Sequence, residues 1–313
     1  MGYCMMNKTI LHKKAFAFSI TMWIIASLLF ATVVILRFAK DEVKLSSGLN
    51  DKLTTQLMAE SLLESLKFYV VTGDYTSTSL KNNLLSKSIY SLPSEIIVDG
   101  REYNLSQQMS ISLQDTSGML HVMHTPSSIV AQVLSPEEGY DLQGILKDSL
   151  DDWRDEDNVA RVNGAEQNAY QALDKKNKVR NTKAIQDIHE LKLIHGFDQV
   201  DFKHIESNFY YGRGTSANLM LVKNADYLAF ILGVDKNFIE KMFELRESEP
   251  MKFRKNIGAL PNYNDDYFSF GLSKQFKVKI KVQEGNSQSI LKVMISFKKL
   301  NSRPYMTLSY TLQ

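Results

Sequence analysis

The sequence has 313 residues, and 37 lysines and arginines against 35 aspartates and glutamates leave a formal charge of +2. A 44% hydrophobic and 23% charged composition belongs to a folded chain and excludes wholesale disorder. The near-neutral balance gives no electrostatic case for a nucleic-acid binder. A single cysteine, Cys4, excludes an intramolecular disulfide and a thiolate-rich zinc site.

The first element in chain order is a membrane span. Residues 15–36 contain no charge, glycine or proline. At about 1.5 Å per residue such a helix reaches about 33 Å, enough for a bilayer core. His12, Lys13 and Lys14 precede it, and Arg37 and Lys40 follow. The short basic side predicts a cytoplasmic N-terminus, with the rest of the chain on the other side. The run is longer than the apolar region of a secretory signal, and no small-x-small cleavage pattern follows Leu36. An uncleaved single span is the reading. Leu45, Leu49, Leu53 and Leu57 then recur at four-residue spacing, and Leu62, Leu66 and Val70 continue on a rotated face. This predicts one helix of roughly 55–60 residues, half in lipid and half packed on a soluble domain, stopping at Gly73-Asp74.

Residues 74–92 read as loop. Short strands are predicted over 95–98 and 101–105, joined by an Asp99-Gly100 hairpin turn. Further strands are predicted over 108–114 and 119–123, around a turn at 115–118. From about residue 135 to 254 the period is helical. Leu142, Ile145, Leu146 and Leu150 share one face, and Ile185, Ile188, Leu191 and Ile194 another, stopped by Gly196. Short helices follow around 202–209, over 225–232 ended by Gly233, and over 237–246. Alternation returns with Phe276, Val278, Ile280 and Val282, then Leu291, Val293, Ile295 and Phe297 across a turn at 284–286, then Met306, Leu308, Tyr310 and Leu312. Lys277, Lys279 and Lys281 read as the wet face of that sheet, with an anionic partner surface as the functional alternative.

Asp151, Asp152, Asp155, Glu156 and Asp157 crowd around Trp153. Hard cations want several carboxylate oxygens, so Asp152, Asp155, Asp157 and Glu166 form a candidate Ca²⁺ site. The bland alternative is a solvated helix end with Arg154 or Arg161 as ion partners, and Glu166 as a structural carboxylate. The six histidines make no His-Glu-x-x-His motif, and no phosphate loop, dinucleotide fingerprint or nucleophile elbow is present. Tyr211-Gly-Arg-Gly214 is a lone Gly-rich turn. No catalytic constellation is found.

Three stretches carry a resemblance. The acidic run 150–157 around Trp153, followed by Arg161, Asn163-Gly164-Ala165-Glu166 and Tyr170, resembles the motif of K-type minor pseudopilins of type II secretion, the GspK family. The 114–120 turn and strand, and the 188–196 segment ending in Gly196, are similar to that family's pattern in the same order. The Ala15/Phe16 junction without a glutamate at the fifth position also resembles this subtype. Ala15 stands where the family has Gly, and His121 and His124 where it tends to have Asn. Asn218-Leu-Met-Leu-Val222 also departs from the family's usual pattern.

The resemblance implies an α+β fold: a pilin-like long N-terminal transmembrane helix plus an antiparallel sheet, with a large inserted α-helical domain. The implied division is a basic leader over 1–15, the long helix over 16–73, pilin-like strands and loops over 74–134, the helical insertion over 135–266 and antiparallel strands over 267–313. It implies processing by prepilin peptidase between Ala15 and Phe16, methylation, and a place in the bacterial inner membrane with a periplasmic C-terminal domain. It further implies a non-enzymatic role at the tip of the pseudopilus with the I- and J-type minor pseudopilins and other pseudopilus subunits. The competing classes are a single-pass anchored periplasmic binding or sensor module, a type IV pilus minor pilin and an anchored hydrolase.

Overall fold

The computed structural model describes residues 6–83, 90–135, 140–172, 185–212, 216–298 and 303–313. Helix α1 (Met6–Thr72) is one unbroken rod. Its apolar stretch is exposed and long enough to cross a membrane. Its C-terminal part buries Ala59, Leu62, Leu63, Leu66, Tyr69 and Val70. Asn82 closes the end, donating from Nδ2 to Tyr69 O (3.0 Å) and Thr72 Oγ1 (2.8 Å), which satisfies groups the last turn leaves free.

The leucine stripe differs from expectation. Leu45, Leu49, Leu53 and Leu57 are all more than half exposed. A four-residue step advances about 40° beyond a full turn, so a strict i, i+4 row winds off any single face. The face that meets the sheet is set by Thr55, Ala59, Leu62, Leu66 and Tyr69 instead.

Strands β1 (Asp74–Tyr75), β2 (Ser79–Lys81) and β3 (Glu95–Ile97) form a small antiparallel sheet in order β1-β2-β3. Part of the segment read as loop is therefore strand. β4 (Asp99–Asn104) and β5 (Met109–Asp115) belong to a different, five-stranded sheet. The expected 95–105 hairpin is thus not formed: β3 pairs with β2, and β4 with β5. Gly100 serves a register shift rather than a turn. Its φ is +86°, and a Cβ there would meet Gln114 Oε1 at 2.4 Å.

Next come β6 (Leu120–His121), α2 (Ser127–Leu134), α3 (Tyr140–Arg154) and α4 (Gln167–Ala172). The helix expected over 185–194 is a 3₁₀ segment, Ile188–Leu193, capped by the Asp187 side chain. Gly196, at φ +83°, turns the chain into a second 3₁₀ turn, Phe197–Gln199. α5 (Phe202–Asn208), β7 (Phe209–Tyr210) and β8 (Ala217–Asn218) follow. α6 (Ala225–Leu232) ends at Gly233 in the left-handed region, as expected, and α7 (Lys236–Ser248) follows from an Asp235 cap. α8 (Pro250–Gly258) has Pro250 in its first turn, the one helical place where its missing N–H costs nothing. β9 (Phe268–Ser269) pairs with β8.

The chain closes with β10 (Gln275–Glu284), β11 (Ser287–Ser296) and β12 (Met306–Leu312). The sheet order is β12-β11-β10-β5-β4, and these pairings are all antiparallel. One face packs Phe276, Val278, Ile280, Val282, Leu291 and Val293 against α1. Thr55 Oγ1 and Ser289 Oγ lie 2.8 Å apart across that seam. Two further cores lie in the helical part. One is built on Leu146, Leu150, Trp153, Tyr170 and Phe197, the other on Leu228, Ile239, Phe253 and Ile257. The α+β architecture expected from the sequence is the observed one.

The lysine row is only partly wet. Lys279 is exposed, but Lys277 is covered and donates to Glu206 O, and Lys281 pairs with Glu102 at 2.7 Å.

Candidate functional site

The acidic cluster is built where α3 ends and the chain folds back over it. Asp148, Asp151, Asp152 and Asp155 recur at three- and four-residue steps, so they share one side of the helix end. Each is used differently. Asp148 accepts from Lys147 Nζ (3.0 Å), Asn163 N (3.2 Å) and Asn163 Nδ2 (3.3 Å). These bonds outweigh the cost of burial and hold its carboxyl below the usual range. Asp151 accepts from Ser127 Oγ at 2.5 Å, tying α3 to the start of α2.

Asp152 is fully buried and accepts from Arg161 N at 3.1 Å. Arg161 Nη1 bonds both Asp152 Oδ1 and Asp155 Oδ2, the latter at 2.6 Å. This raises the guanidinium's already high affinity for its proton, through Asp155 first and Asp152 second.

Glycine is required at position 164. A Cβ there would sit 2.0 Å from Asp152 Oδ2, nearer than any non-bonded carbon–oxygen approach. Ala165 behind it is 1% exposed, leaving no room for a larger side chain. The backbone then delivers Glu166 against the acids. Both Glu166 oxygens, and Asp155 Oδ1, are buried without a hydrogen-bond partner of good geometry. Burial first, and then the charges of Asp152, Asp155 and Asp157, push the Glu166 carboxyl up to about 7.

One oxygen each of Asp152, Asp155 and Glu166 lies within 4.8 Å of the others. That separation fits a hard cation with oxygen ligands at about 2.3–2.6 Å. Two of the unpartnered buried oxygens belong to Glu166 and one to Asp155, whereas both Asp152 oxygens already accept from Arg161, so an ion would draw first on Glu166 and Asp155. Three of the four residues expected for this site are brought together. Asp157 is not in the trio: its Oδ1 accepts from Val159 N at 2.8 Å, and its charge adds to the push on Glu166.

Trp153 and Tyr170 make a separate set of contacts. Trp153 is 2% exposed, donates from Nε1 to Glu190 Oε1 (2.9 Å), and meets Tyr170 edge to face with centroids 5.8 Å apart. Tyr170 Oη accepts from His195 N at 2.9 Å. The motif therefore has two sides: carboxylates toward the returning loop, and aromatics that lock α3, α4 and the 188–196 segment together. Sequence reasoning missed Glu190 as the indole's partner, since 37 positions separate the two and no periodicity links them. It also missed Asp148 and Asn163 as the clamp on the loop.

Ala15 and Phe16 lie within the backbone of α1, their side chains outside the described residues. Part of the Gly-rich turn, residues 213–214, also lies outside them. His121 is buried between Gly212 O, which Nε2 reaches at 2.7 Å, and Met123 N, which donates to Nδ1 at 3.1 Å.

The family described as "Type II secretion system (T2SS), protein K" matches residues 130–209. This stretch holds α2, α3, the acidic cluster, Trp153, Tyr170 and the 188–196 segment. The chain also resembles a chain in the crystal structure of the GspK–GspI–GspJ complex from the enterotoxigenic Escherichia coli type 2 secretion system. The identity is 12% and the TM-score 0.51, over 87% of this chain and 99% of that one. No curated protein matches the sequence. At that identity the structural likeness carries the fold, and the protein K match carries the motif region. Residues 130–209 thus match the protein K family, and the fold resembles that of the GspK-complex chain, in line with the resemblance carried by the motif.

Proposed function

We propose that this chain is the K-type subunit at the tip of a type II secretion pseudopilus, where it assists assembly of the filament and export across the outer membrane. The observation that carries the proposal is the division of α1. Its C-terminal part is the core helix of the sheet, and its N-terminal part is apolar and exposed. A helix of that kind suits storage in a bilayer and later packing in a filament core. The helical segments between β6 and β9 add a bulk that obstructs a further subunit stacked above, which favours an end position.

The proposed placement is a single pass through the bacterial inner membrane, N-terminus in the cytoplasm and the rest in the periplasm. The basic residues before the apolar run support it. The leader over 1–15 would be removed by prepilin peptidase between Ala15 and Phe16, leaving the four remaining segments of the division given above. GspK is crystallised with GspI and GspJ, and we take the corresponding I- and J-type subunits as the partners here. Asp152, Asp155 and Glu166 are proposed to hold Ca²⁺, which would fix the returning loop on α3.

The test is intact mass and N-terminal sequencing of the protein extracted from its native membrane. The expected product starts at Phe16 and carries an N-methyl group. A chain retaining the 1–15 leader contradicts the processing on which filament entry depends.

A further inference from the structure

Between the outer face of the five-stranded sheet and α5 lies a groove of about 540 Å³, far from the acidic cluster in its lining and its chemistry. Lys277 and Lys279 enter it from β10, Lys292 from β11, Lys203 from α5 and Lys223 from the segment before α6. Two acids answer these five lysines: Glu206, bonded by Lys292 at 2.7 Å, and Asp99, 3.5 Å from Lys223. Asp99 is already engaged by Arg101 at 2.9 Å. Lys203 and Lys279 have no ion-pair partner among the described residues.

The ladder itself carries a cost here. Lys279 stands directly opposite Lys292 in the β10–β11 register. Like charges in that position destabilise a sheet. Burial together with the charges of Lys281 and Lys292 lowers the Lys279 proton affinity. Burial brings Lys277 down to about 8, against the pull of Glu206. A fold that keeps such an arrangement is ordered for something other than stability.

The rest of the lining selects among anions. Met119, Leu221, Val222 and Ile290 give the groove an apolar component. No arginine lines it, so the planar fork that grips a phosphate bidentately is missing, and the lysines act as separated point charges. The volume is that of an ordinary ligand site, and a seam between two structural layers is a usual place for one.

We propose that this groove is a docking site for a short acidic segment of a partner protein, its carboxylates paired with Lys203 and Lys279 and its apolar side chains against Leu221 and Val222. The site is independent of the calcium cluster and of the tip assignment.

Fluorescence anisotropy of a labelled peptide alternating glutamate and leucine, added to the full chain in detergent, tests it. Saturable binding is expected, weakening with salt and weakening by about tenfold or more in the double variant Lys203→Glu, Lys279→Glu. Both lysines are exposed, so the variant should fold, and circular dichroism and an unchanged melting temperature check that it does. The same peptide with glutamine for glutamate should not bind. The proposal is overturned if the double variant binds as the parent does, or if the glutamine peptide binds equally. It is also overturned if inorganic phosphate or soluble short-chain phosphatidylglycerol displaces the acidic peptide at matching concentration, which would make the groove a phosphate or lipid-headgroup site.

Discussion

Glu166 is the residue at which local structure and chemistry pull hardest against each other. Gly164 and Ala165 are small enough to bring it in, and its oxygens find no hydrogen-bond partner of good geometry once there. Its carboxyl is held up to about 7 rather than at the ordinary 4.5. Below about pH 4.5 the group is protonated folded or unfolded. Between 4.5 and 7 the folded chain holds a proton that the unfolded chain has lost, so stability falls as pH rises through that window. In EDTA the parent should therefore lose on the order of 1–3 kcal/mol between pH 5 and pH 8 relative to Glu166→Gln, which has no proton to release. Calcium should restore the parent at pH 8 and do less for the variant, because it replaces the proton as the counter-charge. Urea titrations followed by tryptophan fluorescence measure both. Parallel pH profiles for the two proteins, with no calcium effect on either, would remove the cation from the account and leave Arg161 as the cluster's counter-charge.

At the scale of the element, α1 divides into a C-terminal part that stabilises the domain and a longer part that does not. Leu66 is 2% exposed against the sheet, and Leu49 is 64% exposed. Leu66→Ala should cost about 2–5 kcal/mol in urea unfolding of the detergent-held chain. Leu49→Ala should stay within about 0.5 kcal/mol. Equal losses would mean that the exposed stripe is part of the domain's own core. This contrast was not legible in the sequence. Four leucines at a regular spacing look like a face, and only the position of the sheet decides which face is buried. The C-terminal strands were legible because alternation has a period of two and cannot drift. α2 was missed because Ile129, Val130 and Val133 have the β-branched look of a strand, and α8 because its opening Pro250 reads as a break. The Asp99-Gly100 pair misled for a related reason: it has hairpin chemistry, but its neighbours found better partners in β2 and β5. Of the acidic site, the motif residues were legible because they lie close in sequence. The lysine groove was legible only as a row of lysines, since the helix that covers it arrives from 70 or more positions away.

On the scale of the whole molecule, the proposed function asks the same long helix to serve a bilayer, a folded domain and a filament. The domain contacts α1 from about Gly48 onward and buries it from about Thr55. The remainder is available to lipid or to neighbouring subunits. Reading the molecule as a K-type tip subunit makes recognition of I- and J-type partners its central requirement. The most direct measurement is size-exclusion chromatography with multi-angle light scattering, after the full chain is mixed in detergent with the I- and J-type pseudopilins of the same host. The account predicts a single complex with one copy of each, absent when any one component is left out. Elution of the chain apart from an I–J pair, at concentrations where that pair forms, would contradict it.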